Sequence, residues 1–472
     1  MRYLALATDY DGTLAHHGEV DRQTIEALRR LAATGRKLLL VTGRQVDDLG
    51  RVFPEVSLFD RVVAENGAVI YRPQPQELRL LAAPPPAAFV DALKKRGVDP
   101  LAVGHVVVAT VQPNERVALE VVREFGLELE IIFNKGSVMI LPSSVNKATG
   151  LAAALDELRF SAHNVVGIGD AENDHALLEM SECGVAVANA LDSLKNHADL
   201  VTTGRASDGV REVIESLIAE DLRSAEPKLK RRRIALGHAG DEPITISAYG
   251  PSVLVAGQSG GGKSSIVRGF LERLSEQRYQ FCVVDPEGDY ENLPIAVTLG
   301  TAERAPSIDE AISMLNEPYQ SVAINLVGLA VRERPAFFEA LLPRLQESRA
   351  RTGRPHWLII DEAHHVLPKS WGPVELTVPE TLDSTMLITV HPDDLAASVR
   401  DRVDVVVAIG SANDVLRAFG QSSEIETAAG EAVLWSKKDG RPRKIRTLPG
   451  QLEQRRPPAD QAAIERRNTA PA

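Results

Sequence analysis

Short apolar runs that end in polar residues alternate along this chain with longer segments of helical period. In the first part the runs are "YLALATD" (Tyr3–Asp9), "KLLLVTGR" (Lys37–Arg44), "RVVAENG" (Arg61–Gly67), "NVVGIGD" (Asn164–Asp170) and "CGVAVAN" (Cys183–Asn189). Between them lie segments such as "DRQTIEALRRLAATG" (Asp21–Gly35), with apolar residues at helical spacing. This alternation predicts a parallel, doubly wound sheet covered by helices. Ligands of such sheets gather outside the carboxyl ends of the strands, which is where the polar residues fall.

From Tyr71 to Pro142 the pattern changes to strand, helix, strand, helix and two strands, and the parent pattern resumes at Lys147. A small α/β module inserted as a lid is expected, at about residues 72–145. A second parallel-sheet pattern begins near Pro243: "SVLVAG", "FCVVDPEGD", "VAINLVG", "WLIIDEAHH", "TMLITVHP", "VVVAIG" and "AVLWSK". The expected fold class is therefore α/β: a Rossmann-like parallel sheet with an inserted α/β cap over residues 1–222, then a second parallel-sheet domain over 243–448, which "GQSGGGKS" (Gly257–Ser264), fitting G-x-x-x-x-G-K-[ST], marks as a P-loop NTPase parallel-sheet domain. Residues 223–242, with Pro227, Gly237, Gly240 and Pro243 around them, read as a linker, and the polar residues 449–472 as a loose tail.

At 472 residues the chain suits two or three domains. No apolar run approaches the roughly 20 residues that span a bilayer, and two aspartates interrupt the N-terminal run, so a cytoplasmic protein without membrane contact is expected. Cys183 and Cys282 read as buried free thiols. A formal net charge of −12 disfavours nucleic acid as a partner, and the basic run "KLKRRR" (Lys228–Arg233) reads as part of the solvated linker.

Asp9 and Asp11 flank Tyr10 at a strand end, so both carboxylates can face one side, one to attack and one to shuttle a proton. "GDAEND" adds Asp170 and Asp174, suited to Mg²⁺, while Thr42 and Lys147 supply a hydroxyl and a cation for phosphoryl oxygens. Arg44, Asn66 and Asn173 either touch phosphate or metal or serve turns and caps. Taken in order, "DYDGT", "VTGR", "NKATG" and "GDAEND" resemble the four motifs of haloacid dehalogenase superfamily phosphatases, and the position of the insert resembles the class IIB, Cof-like branch. The resemblance implies Asp9 as nucleophile forming an aspartyl-phosphate, Asp11 as general acid/base, and Thr42 and Lys147 as phosphate holders. It places Asp9, the Asp11 main chain and Asp170 around Mg²⁺, with Asp174 in support. Asn146 and Ala148 stand where that family usually has Asp and Gly.

Gly257 to Ser264 fits G-x-x-x-x-G-K-[ST] between an apolar strand and a helical segment, the context in which backbone amides cradle phosphate. ATP is expected on Gly257, Ser259, Gly260, Gly261, Gly262, Lys263, Ser264 and Ser265, with Ser264 and Asp361 on Mg²⁺ and Glu362 polarising the attacking water. "VVDPEGDY", "DEAHH" and "TVHPDD" together resemble the HerA/FtsK-like branch of P-loop ATPases, which implies ring formation or DNA translocation. His391 departs from its usual polar sensor, His364 and His365 read as sensor or surface residues, and Arg400 and Arg402 are either trans arginine fingers of a homo-oligomer or partners of Asp401 and Asp404. The function expected is a Mg²⁺-dependent phosphatase for a small phosphorylated metabolite such as a sugar phosphate, fused to an ATP-binding and hydrolysing domain. The alternatives are a DNA-associated motor with an accessory phosphatase, and a nucleotide sensor.

Overall fold

The computed structural model describes residues 1–134, 136–229, 231–370 and 378–451. Two compact units divide the chain, Met1–Arg231 and Arg232–Ala472.

In the first unit the strands are β1 (Ala5–Thr8), β2 (Lys37–Val41), β3 (Arg61–Ala64), β4 (Val69–Arg72), β5 (Glu77–Leu80), β6 (Ala102–Val103), β7 (Val108–Val111), β8 (Leu129–Asn134), β9 (Ser137–Pro142), β10 (Val165–Gly169), β11 (Cys183–Ala186) and β12 (Leu200–Val201). The main sheet runs β12-β11-β10-β1-β2-β3-β4-β5. It is parallel from β12 to β3, with Leu6, Leu38, Leu40, Val62 and Val166 buried because helices cover both faces. β4 and β5 add antiparallel at the edge, so the insert begins after β5 rather than at residue 72: "ELRL" pairs with β4 across a tight turn. The cap is a separate antiparallel sheet, β6-β7-β9-β8, backed by helices Ala87–Lys95 and Glu115–Glu124 around a core of Phe89, Leu93, Val121 and Ile140.

The second unit carries β13 (Arg233–Ala239), β14 (Glu242–Ser247), β15 (Val253–Gly257), β16 (Phe281–Asp285), β17 (Val297–Leu299), β18 (Val322–Asn325), β19 (Trp357–Ile360), β20 (Thr385–Thr389), β21 (Val405–Ile409), β22 (Glu431–Ser436) and β23 (Arg443–Thr447). They form one sheet ordered β14-β13-β23-β22-β21-β15-β20-β19-β16-β18-β17. The parallel part, β21 to β17, is as the pattern predicts, but "AVLWSK" is antiparallel to β21 and forms a hairpin with β23.

The expected linker at 223–242 is corrected. Arg223–Lys228 is a 3₁₀ turn closing the first unit, and β13 with β14 forms a hairpin of the second sheet. Buried Ile234 and Leu236 alternate with more exposed residues along β13, and at Gly237 a Cβ would lie 2.3 Å from the Arg446 carbonyl oxygen. In the basic run, Arg231 pairs with Asp199 and Glu179, and Arg233 donates to Thr245 Oγ1 at 2.7 Å. Lys230 lies outside the described residues, as does the tail beyond residue 451. Among the described residues no helix is long and apolar enough to cross a membrane.

Candidate functional site

In the first unit the ends of β1 and β10 and the start of helix Lys147–Leu158 bring four charged side chains together. The Lys147 ammonium lies 2.6 Å from Asp9 Oδ1 and 2.5 Å from Asp174 Oδ1, with its side chain 1 % exposed. The other Asp174 oxygen accepts the backbone N–H groups of Asp170 and Ala171, each at 2.9 Å, which ties the "GDAEND" loop into a fixed shape. Burial pushes the Asp9 carboxyl up, opposed by Lys147. Burial by itself would lower the Lys147 ammonium, but Asp174 and Asp9 outweigh it and hold it above the usual lysine range.

Asp9, Asp170 and Asp174 each offer an oxygen within 4.8 Å of the others, and all three are buried. Three buried carboxylates against one ammonium leave negative charge that water does not solvate, and an all-oxygen donor set fits a hard dication such as Mg²⁺. Asn173 Oδ1, buried beside this group, accepts no hydrogen bond in the protein. Thr13 Oγ1 donates to Asp170 Oδ1 at 3.3 Å, and Asn189 Nδ2 donates to the Gly12 carbonyl at 2.8 Å and reaches Asp170 Oδ2 at 3.5 Å. Thr13 closes "DYDGT" and Asn189 closes "CGVAVAN", but the sequence assigned neither of them a role.

Asp11 does not share the Asp9 cluster. Its carboxylate is held by Arg44 through two bonds of 2.7 Å, and Arg44 also reaches Asp48 at 2.6 Å. Hydrogen bonding to Asp11 raises the Arg44 guanidinium further. Thr42 is buried, with Oγ1 accepting the Arg44 N–H. Asn66 and Asn173, open between two readings in the sequence, hydrogen-bond each other at 3.0 Å.

The turn Glu65–Gly67 joins these parts. Glu65 is fully buried, and its carboxylate accepts the N–H groups of His105 (2.8 Å), Val106 (2.8 Å) and Val107 (2.9 Å) at the entry to β7 of the cap. At Gly67, φ is 108° and a Cβ would sit 1.9 Å from the Asn146 carbonyl oxygen, so only glycine lets β3's end meet the start of the Lys147 helix. Glu65 was not singled out in the sequence, because a lone glutamate before Asn-Gly carries no spacing signal. Between cap and core, Ile132 and Phe133 of β8 face Asn66, Asn146 and Asn173 across a cleft.

In the second unit, residues 258–262 form an exposed loop between β15 and helix Lys263–Glu276, carrying Ser259, Gly260, Gly261 and Gly262. At Gly257 a Cβ would lie 2.2 Å from the Ile409 carbonyl oxygen, so glycine lets β21 approach the loop. The Lys263 ammonium folds back on the carbonyls of Gly257 (2.9 Å) and Gln258 (3.2 Å), while Ser264 and Ser265 follow in the first helical turn. Asp361 directly follows β19, where burial and the nearby Asp285 and Glu362 push its carboxyl well up. Glu362 holds a left-handed backbone (φ 34°). Burial, then Glu287, push its carboxyl up to about 7 against Lys263, and its Oε2 lies 3.4 Å from His364 Nδ1. β20 separates β15 from β19, so loop and Asp361 face each other across one strand. His364 bonds Thr389 Oγ1 at 3.0 Å and His365 bonds Arg334 at 3.1 Å. The proposed partners of Arg400 and Arg402 are corrected. Arg400 pairs with Asp393 at 2.9 Å, Arg402 donates to the carbonyls of Glu380 and Ser398, and Asp404 is taken by the Ser252 amide at 3.0 Å.

Both units are α/β folds with charged side chains gathered at the carboxyl ends of parallel strands. Residues 6–108 and 99–214 match the family of haloacid dehalogenase-like hydrolases, and residues 247–390 match the AAA domain family. The first unit is similar to the phosphoglycolate phosphatase of Methanothermobacter thermautotrophicus, 28 % identical over 44 % of this chain and 96 % of that protein. It is also similar to that of Nitrosopumilus maritimus, 25 % identical over 46 % and 97 %. A haloacid dehalogenase-like hydrolase from Bacteroides thetaiotaomicron aligns at 20 % identity and TM-score 0.40, over 46 % of this chain and 99 % of that one. The chain carries a haloacid dehalogenase-like hydrolase domain followed by an AAA domain: a phosphatase with a second, ATPase-type domain.

Proposed function

We propose that the first unit hydrolyses small soluble phosphomonoesters through an aspartyl-phosphate on Asp9. The observation that carries this is the buried set Asp9, Asp170 and Asp174 around the Lys147 ammonium. Asp9 attacks phosphorus and the ester oxygen leaves with a proton from Asp11; Asp11 then takes a proton from the water that cleaves the aspartyl-phosphate. Arg44 holds Asp11 in place until substrate arrives. Thr42 and Lys147 bind the phosphoryl oxygens. Mg²⁺, held by Asp9, Asp170 and the Asp11 main chain with Asp174 behind, would supply neutralising charge to the phosphoryl group. The name of the relatives makes 2-phosphoglycolate a first compound to try.

The second unit, on this reading, binds ATP on Gly257–Ser265, with Ser264 and Asp361 toward Mg²⁺ and Glu362, beside His364, polarising water. The test is Asp9→Asn in the full chain: release of phosphate from p-nitrophenyl phosphate falls to background while ATP binding persists. Equal loss of both activities overturns the two-centre reading.

A further inference from the structure

The cleft above the phosphatase centre also bears on which alcohol the phosphate is taken from. Its floor holds Asn66, Asn146 and Asn173, and Asn146 and Asn173 immediately precede Lys147 and Asp174 of the charged centre, so the cleft adjoins the place from which an ester held at Asp9 would extend its alcohol. The walls combine an apolar surface, Ile132 and Phe133, with two carboxylates that approach from opposite sides, Glu130 from cap strand β8 and Glu172 from the "GDAEND" loop. Among the described residues neither Glu130 nor Glu172 meets a hydrogen-bond or ion-pair partner, and both are exposed to solvent. The remaining titratable group on the wall is the ring of His175, which lies against His197 at 5.5 Å between centroids. No arginine or lysine is among the described residues of this wall.

We propose that this cleft selects phosphomonoesters whose alcohol carries no negative charge, and that an ammonium on the alcohol is favoured. The proposal rests on the phosphatase reading above. A carboxylate-bearing alcohol, such as the glycolate of 2-phosphoglycolate, would bring a third negative charge between Glu130 and Glu172. Like charges set face to face suppress binding, and the opposite charge is attracted by the same field. The two-carbon stem would pack on Ile132 and Phe133.

The test is a two-carbon series in which only the terminal group changes: phosphoethanolamine, 2-hydroxyethyl phosphate and 2-phosphoglycolate. Each is assayed on the full chain with Mg²⁺, as substrate by phosphate release and as competitor of p-nitrophenyl phosphate hydrolysis. The expected order is ammonium, then hydroxyl, then carboxylate, with about tenfold or more between the ends, since each exposed charge contributes modestly. The spread should narrow as salt is raised. In the double variant Glu130→Gln, Glu172→Gln the spread should collapse to about twofold. An equal or better rank for 2-phosphoglycolate in the parent, or an unchanged spread in the double variant, overturns the proposal while leaving the phosphatase reading intact. Failure to hydrolyse p-nitrophenyl phosphate instead overturns that reading, and the competitor ranking is then read as direct binding by calorimetry.

Discussion

Glu65→Gln should loosen the cap where it joins the core. Three N–H groups, of His105, Val106 and Val107, converge on the Glu65 carboxylate at 2.8–2.9 Å in a fully buried position. Val106 and Val107 share Oε2 while His105 uses Oε1, which the His105 ring also approaches at 3.2 Å. A carboxamide has one oxygen. If it takes the place of Oε2, its NH₂ faces the His105 N–H, donor against donor. Two hydrogen bonds then fall from charged to neutral strength, about 1 kcal/mol each, and one buried donor is left unsatisfied at about 1–3 kcal/mol. The sum is about 3–5 kcal/mol, and rotation cannot recover it because Gly104 packs so close that a Cβ there would lie 2.6 Å from the carboxylate. Amide hydrogen exchange of residues 105–107 in the full chain reads this directly. At about 1.4 kcal/mol per tenfold, protection should fall by about 10²-fold or more. Glu65→Asp should not rescue it, because the shorter side chain withdraws from the loop. Exchange at 105–107 within threefold of the parent would refute the reasoning.

Asp170→Asn should weaken the response of phosphatase activity to added Mg²⁺ by at least tenfold, measured by titrating metal into chelator-treated protein, because it removes one of three buried carboxylates. Lys263→Ala should abolish ATP affinity, whereas Glu362→Gln should keep binding and stall turnover, each read by equilibrium binding and phosphate release. Glu182→Gln should destabilise the first unit at neutral pH by about 3–5 kcal/mol, because it strips the buried carboxylate from Arg2 and His163. Burial alone would raise Glu182, but His163 and Arg2 hold it far below the usual carboxylate range. Its stabilisation is thus complete above about pH 4.3 and lost as acid is added below that, so the parent should lose stability toward pH 3 and the variant less steeply, by denaturant melts across pH.

How much was legible in advance differs from element to element. Asp9, Asp170, Asp174, Lys147 and the loop 257–264 could be read from the chain alone, because strand ends and helix starts are local features and phosphate chemistry demands oxygen, glycine and lysine at fixed spacing there. The parallel parts of both sheets were readable for the same reason, since burial on both faces writes a continuous apolar run into each strand. What the pattern could not decide depends on groups far apart in sequence. The Arg233–Ala239 strand looked like linker because Gly237, Gly240 and Pro243 punctuate its hairpin with β14, and that hairpin joins the sheet only through β23 at the far end of the unit. Arg44 was ambiguous until the fold set it against Asp11, and Asn66 until it met Asn173. Glu65 is the clearest case. Its burial is tolerable only because three amides some forty residues away complete its hydrogen bonds, and a composition or period holds no record of that convergence.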